Sequence, residues 1–377
     1  MATQRILDFI NTRRPNGPCM VLDLEVVREN FHNFEMALPE SKIFYAVKAN
    51  PAPEILRLLA SLGSNFDTAS VAEVEMALDA GASADRISFG NTIKKERDIA
   101  RAFELGIRLF AVDCVEEVEK VARAAPGARV FCRVLTDGAG AEWPLSRKFG
   151  CVPAMAVDVL RVAQQLGLDS YGVSFHVGSQ QTDLAAWDRA LGDAKQVFDA
   201  LAKEGITLKM VNMGGGFPTR YLKDVPTAQA YGQAIFQALS KHFGNRLPET
   251  IIEPGRGMVG NAGVIKAEVV LVSKKAANDN VRWVYLDIGK FGGLAETMDE
   301  AIRYQITTLR DGDRSEPCVL AGPTCDSADV MYEKNPYPLP VSLTIGDEVL
   351  IEGTGAYTTT YSAVAFNGFE PLRSYVI

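Results

Sequence analysis

Histidine, paired cysteine, long apolar runs and blocks of basic charge are scarce or missing in this chain, and each absence removes a class of function. The three histidines, His32, His176 and His242, are too few and too dispersed to suggest a metal site. Six cysteines show neither paired nor metal-like spacing, which suits free thiols in a reducing cytoplasm. The N-terminal Met-Ala-Thr-Gln-Arg-Ile-Leu-Asp holds no long apolar stretch, so neither a signal peptide nor a membrane span is expected. A net charge of −8, with no basic run and no basic patch interleaved with aromatics, argues against nucleic acid as a partner. There is no internal repeat and no low-complexity segment.

What is present is alternation. The 377 residues, 47% hydrophobic and 23% charged, suit one large soluble barrel plus a second module. Strands are expected at Ile43–Val47, Asn65–Asp67, Arg86–Phe89, Arg108–Val112, Arg129–Leu135, Tyr171–His176, Leu208–Met213 and Thr250–Glu253. Amphipathic stretches lie between them. Ser70 with Glu73 reads as a capping box for a helix that stops at Gly81. Pro153 opens another that ends at Gly167, and Lys94–Leu105 stops at Gly106. Strand, helix, strand in repetition implies a parallel sheet with right-handed crossovers, and eight strands imply a closed (β/α)8 barrel. Beyond about residue 264 the strand candidates lose their helices. A mostly antiparallel β-domain follows, with Pro18–Leu24 as a possible extra strand. The expected division is 25–263 for the barrel and 1–24 plus 264–377 for the β-domain.

Barrel enzymes carry their chemistry at the C-terminal ends of strands and bind phosphate after strands seven and eight. Lys48 falls just after the first expected strand, Asp67 ends the second and His176 the sixth. Gly214-Gly215-Gly216 follows the seventh, and Glu253-Pro254-Gly255-Arg256 ends the eighth. An amine, a glycine loop shaped for phosphate, and an acid beside an arginine are what a protein needs to hold pyridoxal phosphate. Each has a bland counterpart. A lone lysine after a strand is ordinarily a solvated charge, triple glycine a flexible turn, and Glu253 with Arg256 an ion pair. His176 taken alone would be a satisfied buried histidine, but it stands in Ser-Phe-His-Val-Gly-Ser beside Ser179, a hydroxyl suited to a phosphate oxygen. Their convergence on one barrel mouth favours function. Cys325, in Gly-Pro-Thr-Cys-Asp-Ser, follows a Gly-Pro turn unlike core, which leaves the thiol exposed and Asp326 available. Tyr357 is either a packing aromatic or a phosphate contact; spacing does not distinguish them.

Phe-Tyr-Ala-Val-Lys-Ala-Asn, Ser-Phe-His-Val-Gly-Ser, Gly-Gly-Gly-Phe-Pro, Glu-Pro-Gly-Arg, Gly-Pro-Thr-Cys-Asp and Gly-Ala-Tyr-Thr occur in one order from Phe44 to Thr358. In this the chain closely resembles the fold-type III pyridoxal-phosphate decarboxylases, and within them the ornithine decarboxylases, over nearly its whole length. The resemblance implies an alanine-racemase-like barrel, a C-terminal β-domain, a head-to-tail homodimer and a role in polyamine biosynthesis. It implies Lys48 as the Schiff-base lysine and His176 stacked on the cofactor ring. Ser179, Gly216, Arg256 and Tyr357 would hold the phosphate, and Glu253 would pair with the pyridine nitrogen. Asp67 would lie near the lysine and the substrate amine, Cys325 would reprotonate the product, and Asp326 would bind the distal amine. Cys325 and Asp326 would reach into the partner subunit's barrel, so a monomer should be inactive.

Departures accompany the resemblance. Eukaryotic members carry an arginine two residues before the serine of Leu-Ser-x-Lys-Phe-Gly; here that place is Pro144, before Ser146, with Arg147 close by. The chain ends at Ile377, so tail-directed turnover is not expected. The family's specificity segment falls at Glu296–Glu300, which offers Glu296, Asp299 and Glu300. A buried distal ammonium needs a carboxylate, so an acidic pocket suits ornithine or lysine and would repel the second carboxylate of diaminopimelate. The same acids read equally well as a solvated turn. A diaminopimelate decarboxylase and a non-catalytic, polyamine-regulating homologue are the alternatives.

Overall fold

Short runs of β-branched and aromatic residues, each followed by an amphipathic helix, close on themselves as the alternation predicts. The computed structural model describes residues 2–143 and 147–377; Pro144 and Ser146 thus lie outside the described residues. Eight parallel strands form a closed barrel: β1 (Ser41–Ala46), β2 (Asn65–Thr68), β3 (Ile87–Phe89), β4 (Leu109–Val112), β5 (Arg129–Arg133), β6 (Asp169–Ser174), β7 (Met210–Asn212) and β8 (Glu249–Ile252). Neighbours pair in sequence order, and β8 closes onto β1 with Ile252 opposite Ile43. Inside, Phe44, Leu109, Ala111, Phe131, Met210 and Ile251 form a buried cluster against Tyr171. The barrel is therefore a packed core, and only its rim is open to chemistry.

Local signals account for most helix ends. Ser70 Oγ accepts from Glu73 N (3.3 Å) at the start of Val71–Asp79, and Glu73 Oε2 reaches back to Ala69 N (2.7 Å). Pro153 occupies the first turn of Pro153–Gln165. The helix expected from Lys94 begins instead at Glu96. Lys94 is drawn inward: its Nζ donates to Ala111 O (2.6 Å) and Asn91 O (2.8 Å) and lies 3.0 Å from Glu117. Burial lowers its pKa to about 8, against the pull of Glu117.

The chain divides into two units. The first comprises Arg28–Pro218 and Val225–Met258 and holds the barrel; the second comprises Met1–Val27, Thr219–Asp224 and Val259–Ile377. The second is built on a nine-stranded sheet. Its long strand Gly263–Ser273 pairs antiparallel with Cys19–Leu22, Arg282–Leu286 and Glu348–Glu352. Two parallel pairings interrupt the antiparallel pattern, Cys19–Leu22 with Arg373–Val376 and Arg282–Leu286 with Ser315–Ala321. The expected N-terminal strand is thus inside this sheet. A helix that the sequence reading omits, Gln4–Arg13, is capped by Thr3 and buries Ile6 and Ile10 against Cys19, Val21 and Val264.

Candidate active site

Lys48 sits in the single turn Val47–Ala49 immediately after β1. From Ile43 to Asn50 every side chain is buried except that of Lys48. The strand's own packing therefore presents one amine at the rim. Asp67, on β2, is buried and accepts from Ser88 Oγ at 3.2 Å. Burial, reinforced by the charge of Glu253, holds its carboxyl well above the usual range, and Lys48 pulls it back. His176 lies just beyond the end of β6, not within it. Gly178 N donates to its Nδ1 at 3.0 Å, which makes Nδ1 the acceptor. Burial, with Arg133 and Lys48 adding positive charge nearby, keeps the imidazole pKa well below its ordinary value. The ring is neutral at pH 7.

The glycine loop after β7 is a cradle that admits no side chain. A Cβ on Gly214 would lie 2.1 Å from Phe175 O, on Gly215 2.6 Å from Glu253 O, and on Gly216 2.6 Å from Gly178 O. Gly214 and Gly216 also adopt positive φ, +64° and +105°. Ser179 is fixed in a short ribbon in which Ser179–Gln181 pairs with Ala141–Trp143. Its Oγ accepts from Arg256 Nε and Nη2, both at 3.3 Å. Arg256 is 3% exposed and opens the short helix Arg256–Val259, directly after the buried Pro254 and Gly255. A buried guanidinium, a hydroxyl and bare backbone thus share the mouth, a donor set that matches a phosphate.

Glu253 follows β8, its backbone N–H donating to Gly214 O at 2.8 Å. Asn212, at the end of β7, donates from Nδ2 to Glu253 Oε1 while its Oδ1 accepts from Gly214 N (3.0 Å). The sequence reading missed Asn212. It also missed Arg133, at the end of β5, whose guanidinium is lowered by burial while Glu253, Asp67 and Asp113 pull it back up. Both stand at C-terminal strand ends. That position, where barrel enzymes carry their chemistry, is the signal in the sequence that points to them.

The remaining expected residues belong to the second unit. Cys325 is exposed, with its N–H held by Asn367 Oδ1 at 3.0 Å. Asp326 is exposed and takes Ala328 N on Oδ1 (2.8 Å). Tyr357 is half-buried at φ +55° and packs on Tyr361, ring centroids 5.9 Å apart. Glu296 is buried, Asp299 is exposed, and Glu300 is engaged by Arg303 (3.0 Å), Lys334 N (2.6 Å) and Asn335 Nδ2 (2.8 Å). Among the described residues no three His, Cys, Asp or Glu side chains are grouped to hold a metal, and no helix is long and apolar enough to cross a membrane.

Residues 24–260 match the family described as pyridoxal-dependent decarboxylase, pyridoxal binding domain. The chain is 36% identical to a lysine/ornithine decarboxylase of Selenomonas ruminantium over 95% of its own length and 88% of the relative's. It is 32% identical to antizyme inhibitor 2 of Xenopus laevis, covering 97% of this chain and 82% of that protein. Its fold superimposes on the lysine/ornithine decarboxylase of Vibrio vulnificus, solved with cadaverine, with a TM-score of 0.88. That alignment covers 100% of both chains at 31% identity.

Proposed function

Because this chain belongs to the pyridoxal-dependent decarboxylase family, among basic amino acid decarboxylases, we propose that it converts L-ornithine to putrescine and carbon dioxide, and L-lysine to cadaverine. The observation that carries the reading is the barrel mouth, where a cradle closed to any side chain adjoins a buried arginine and a carboxylate held as an acceptor. These residues fit pyridoxal phosphate. Lys48 would bind its aldehyde, and Ser179, Gly214, Gly215, Gly216, Arg256 and Tyr357 would hold its phosphate. His176 would lie against the ring and Glu253 on the pyridine nitrogen. When bound, the cofactor supplies a sink for the electron pair left as carbon dioxide departs.

The chain's own groups do the rest. Asn212 fixes Glu253 as an acceptor, so Glu253 would hold a proton on the pyridine nitrogen. The neutral His176 offers a face without adding a competing charge. Asp67 orients amines at Lys48, and the Cys325 Sγ delivers a proton to the product carbon. Asp326 and Asp299 pair with the distal ammonium. Asp299 is the favoured acid of its segment because Glu296 is buried and Glu300 is held by Arg303, the Lys334 amide and Asn335, whereas Asp299 is exposed and meets Lys334 Nζ at the longer distance of 3.5 Å. Ornithine and lysine differ by one methylene, worth only ~1–3 kcal/mol in such a pocket, so both are substrates. Arg303 is tied to Glu300, so no free arginine awaits the second carboxylate of diaminopimelate in this segment. Cys325 and Asp326 would serve the barrel of a second copy, in a homodimer.

Separate assays with ornithine, lysine, arginine and diaminopimelate, each with pyridoxal phosphate, test the proposal. Putrescine and cadaverine are the expected products. Lysine from diaminopimelate would overturn the acidic pocket. No product from any of them would move the chain to a binding role like that of the antizyme inhibitors, which the retention of Lys48, Asp67, Glu253 and Cys325 argues against.

A further inference from the structure

Polar contacts hold the turn that carries Cys325. A cavity of about 310 Å³, lined in part by Phe291, Pro323, Thr324, Phe366 and Phe369, lies against it. Asp329, 2% exposed, occupies the other end of the turn. Its Oδ2 accepts from Thr324 N (3.2 Å) and Thr324 Oγ1 (2.7 Å), and its Oδ1 accepts from Lys290 N (2.8 Å). The carboxylate is sandwiched between Gly289 and Gly322, where any Cβ would come within 2.1 and 2.3 Å of its oxygens. Each of these three contacts is a donor. An ionised carboxylate satisfies such a set, and an amide would turn N–H against N–H.

The backbone N–H of Cys325 itself is held by Asn367 Oδ1. Asn367 sits at φ +51° in the turn Phe366–Gly368, which is closed by Gly368 N on Ala365 O (3.0 Å) and Phe369 N on Phe366 O (3.1 Å). Asparagine is among the few residues that combine tolerance of that conformation with a side-chain acceptor. The residue after Cys325 is tied back as well, with Asp329 N on Asp326 O at 3.0 Å. The backbone is pinned before, at and after the cysteine, while the thiol stays exposed.

We infer that Asp329, acting through Thr324, and Asn367 are positioning residues that aim the Cys325 thiol. The inference rests on the proposed role of Cys325 as proton donor. It assigns work to two side chains that touch neither cofactor nor substrate in that reading. Rate would depend on them because proton delivery to one carbon requires a fixed approach.

Two paired substitutions test it on the full-length protein. Thr324→Val removes the hydroxyl at constant shape and Thr324→Ser restores it. Asn367→Gly keeps the backbone conformation without the acceptor, and Asn367→Asp keeps both. Thr324→Val and Asn367→Gly are expected to speed amide hydrogen exchange within 322–328 by about tenfold and to lower kcat by a similar factor. Thr324→Ser and Asn367→Asp are expected to return both toward the parent. Parent-like exchange in Thr324→Val and Asn367→Gly overturns the clamp. Faster exchange with parent kcat overturns its importance for catalysis. Full turnover in Cys325→Ala would instead remove the role of the thiol, whatever the clamp does.

Discussion

Asn212 points its side-chain N–H at Glu253 because its carbonyl oxygen is already occupied by the backbone N–H of Gly214, 3.0 Å away. The amide cannot flip without facing donor to donor. Glu253 therefore has one oxygen committed as an acceptor, and the same asparagine ties that acid to the glycine cradle.

Asn212→Asp should place a second carboxylate against Glu253, and two like charges at that separation do not both ionise. Turnover is expected to fall about 100-fold, the scale seen when one preorganised electrostatic contact is lost. Pyridoxal phosphate should still bind in an absorbance titration. Parent-like turnover would show that the state of Glu253 does not depend on Asn212.

The glycine cradle can be separated from glycine's general backbone effect. Gly205 has φ +81° and open space around a Cβ, whereas Gly215 has no such φ and faces Glu253 O at 2.6 Å. Gly205→Ala should cost about 1 kcal/mol in urea unfolding and leave cofactor affinity alone. Gly215→Ala should weaken cofactor binding by about 100-fold, since backbone rather than a flexible side chain would have to move.

Acid stability reports on His176. Its folded pKa lies well below its unfolded value, so below about pH 6.5 the unfolded chain binds a proton that the folded chain refuses. Stability contributed by this group is present above that pH and is lost as pH falls, with a limiting slope of about 1.4 kcal/mol per pH unit. His176→Gln should remove that component from urea unfolding measured between pH 7 and 5. An unchanged slope would place the titrating group elsewhere.

Asp299 and Glu300 are adjacent in sequence, but Asp299 is exposed with Lys334 Nζ 3.5 Å away while Glu300 is held by Arg303, the Lys334 amide and Asn335. Asp299→Asn should raise KM for ornithine and lysine about tenfold or more, as a charge-assisted contact is lost, with little change in Tm. Glu300 is pushed up by burial but held below the usual carboxyl range by Asn335, the Lys334 amide and Arg303. Glu300→Gln should lower Tm and leave KM nearly unchanged. Reversal of the two effects would exchange their roles.

The eight barrel strands and the strand-end positions of Lys48, the glycine loop and Glu253 were legible in the chain. A strand buried on both faces reads as an apolar run, and its end is where polarity resumes. The helix Gln4–Arg13 was not legible, because only Ile6 and Ile10 are buried along it and its partners Cys19, Val21 and Val264 come from elsewhere. Lys94 read as a helix start and is an interior lysine, since nothing local announces Ala111 O or Glu117 as its partners.

Sequence by itself determined the alternating elements, the cradle of three glycines, and the kinds of charge available at the rim. Those depend on periodicity, backbone sterics and composition, which are local. Tertiary structure alone decided that Asn212 joins Glu253, that Glu300 is spent on Lys334 and Asn335, and that Asn367 holds the Cys325 turn. Each of those pairings joins segments more than thirty residues apart in the chain. A hydrogen bond acts only over about 3 Å, a separation that exists only once the strands and turns have closed.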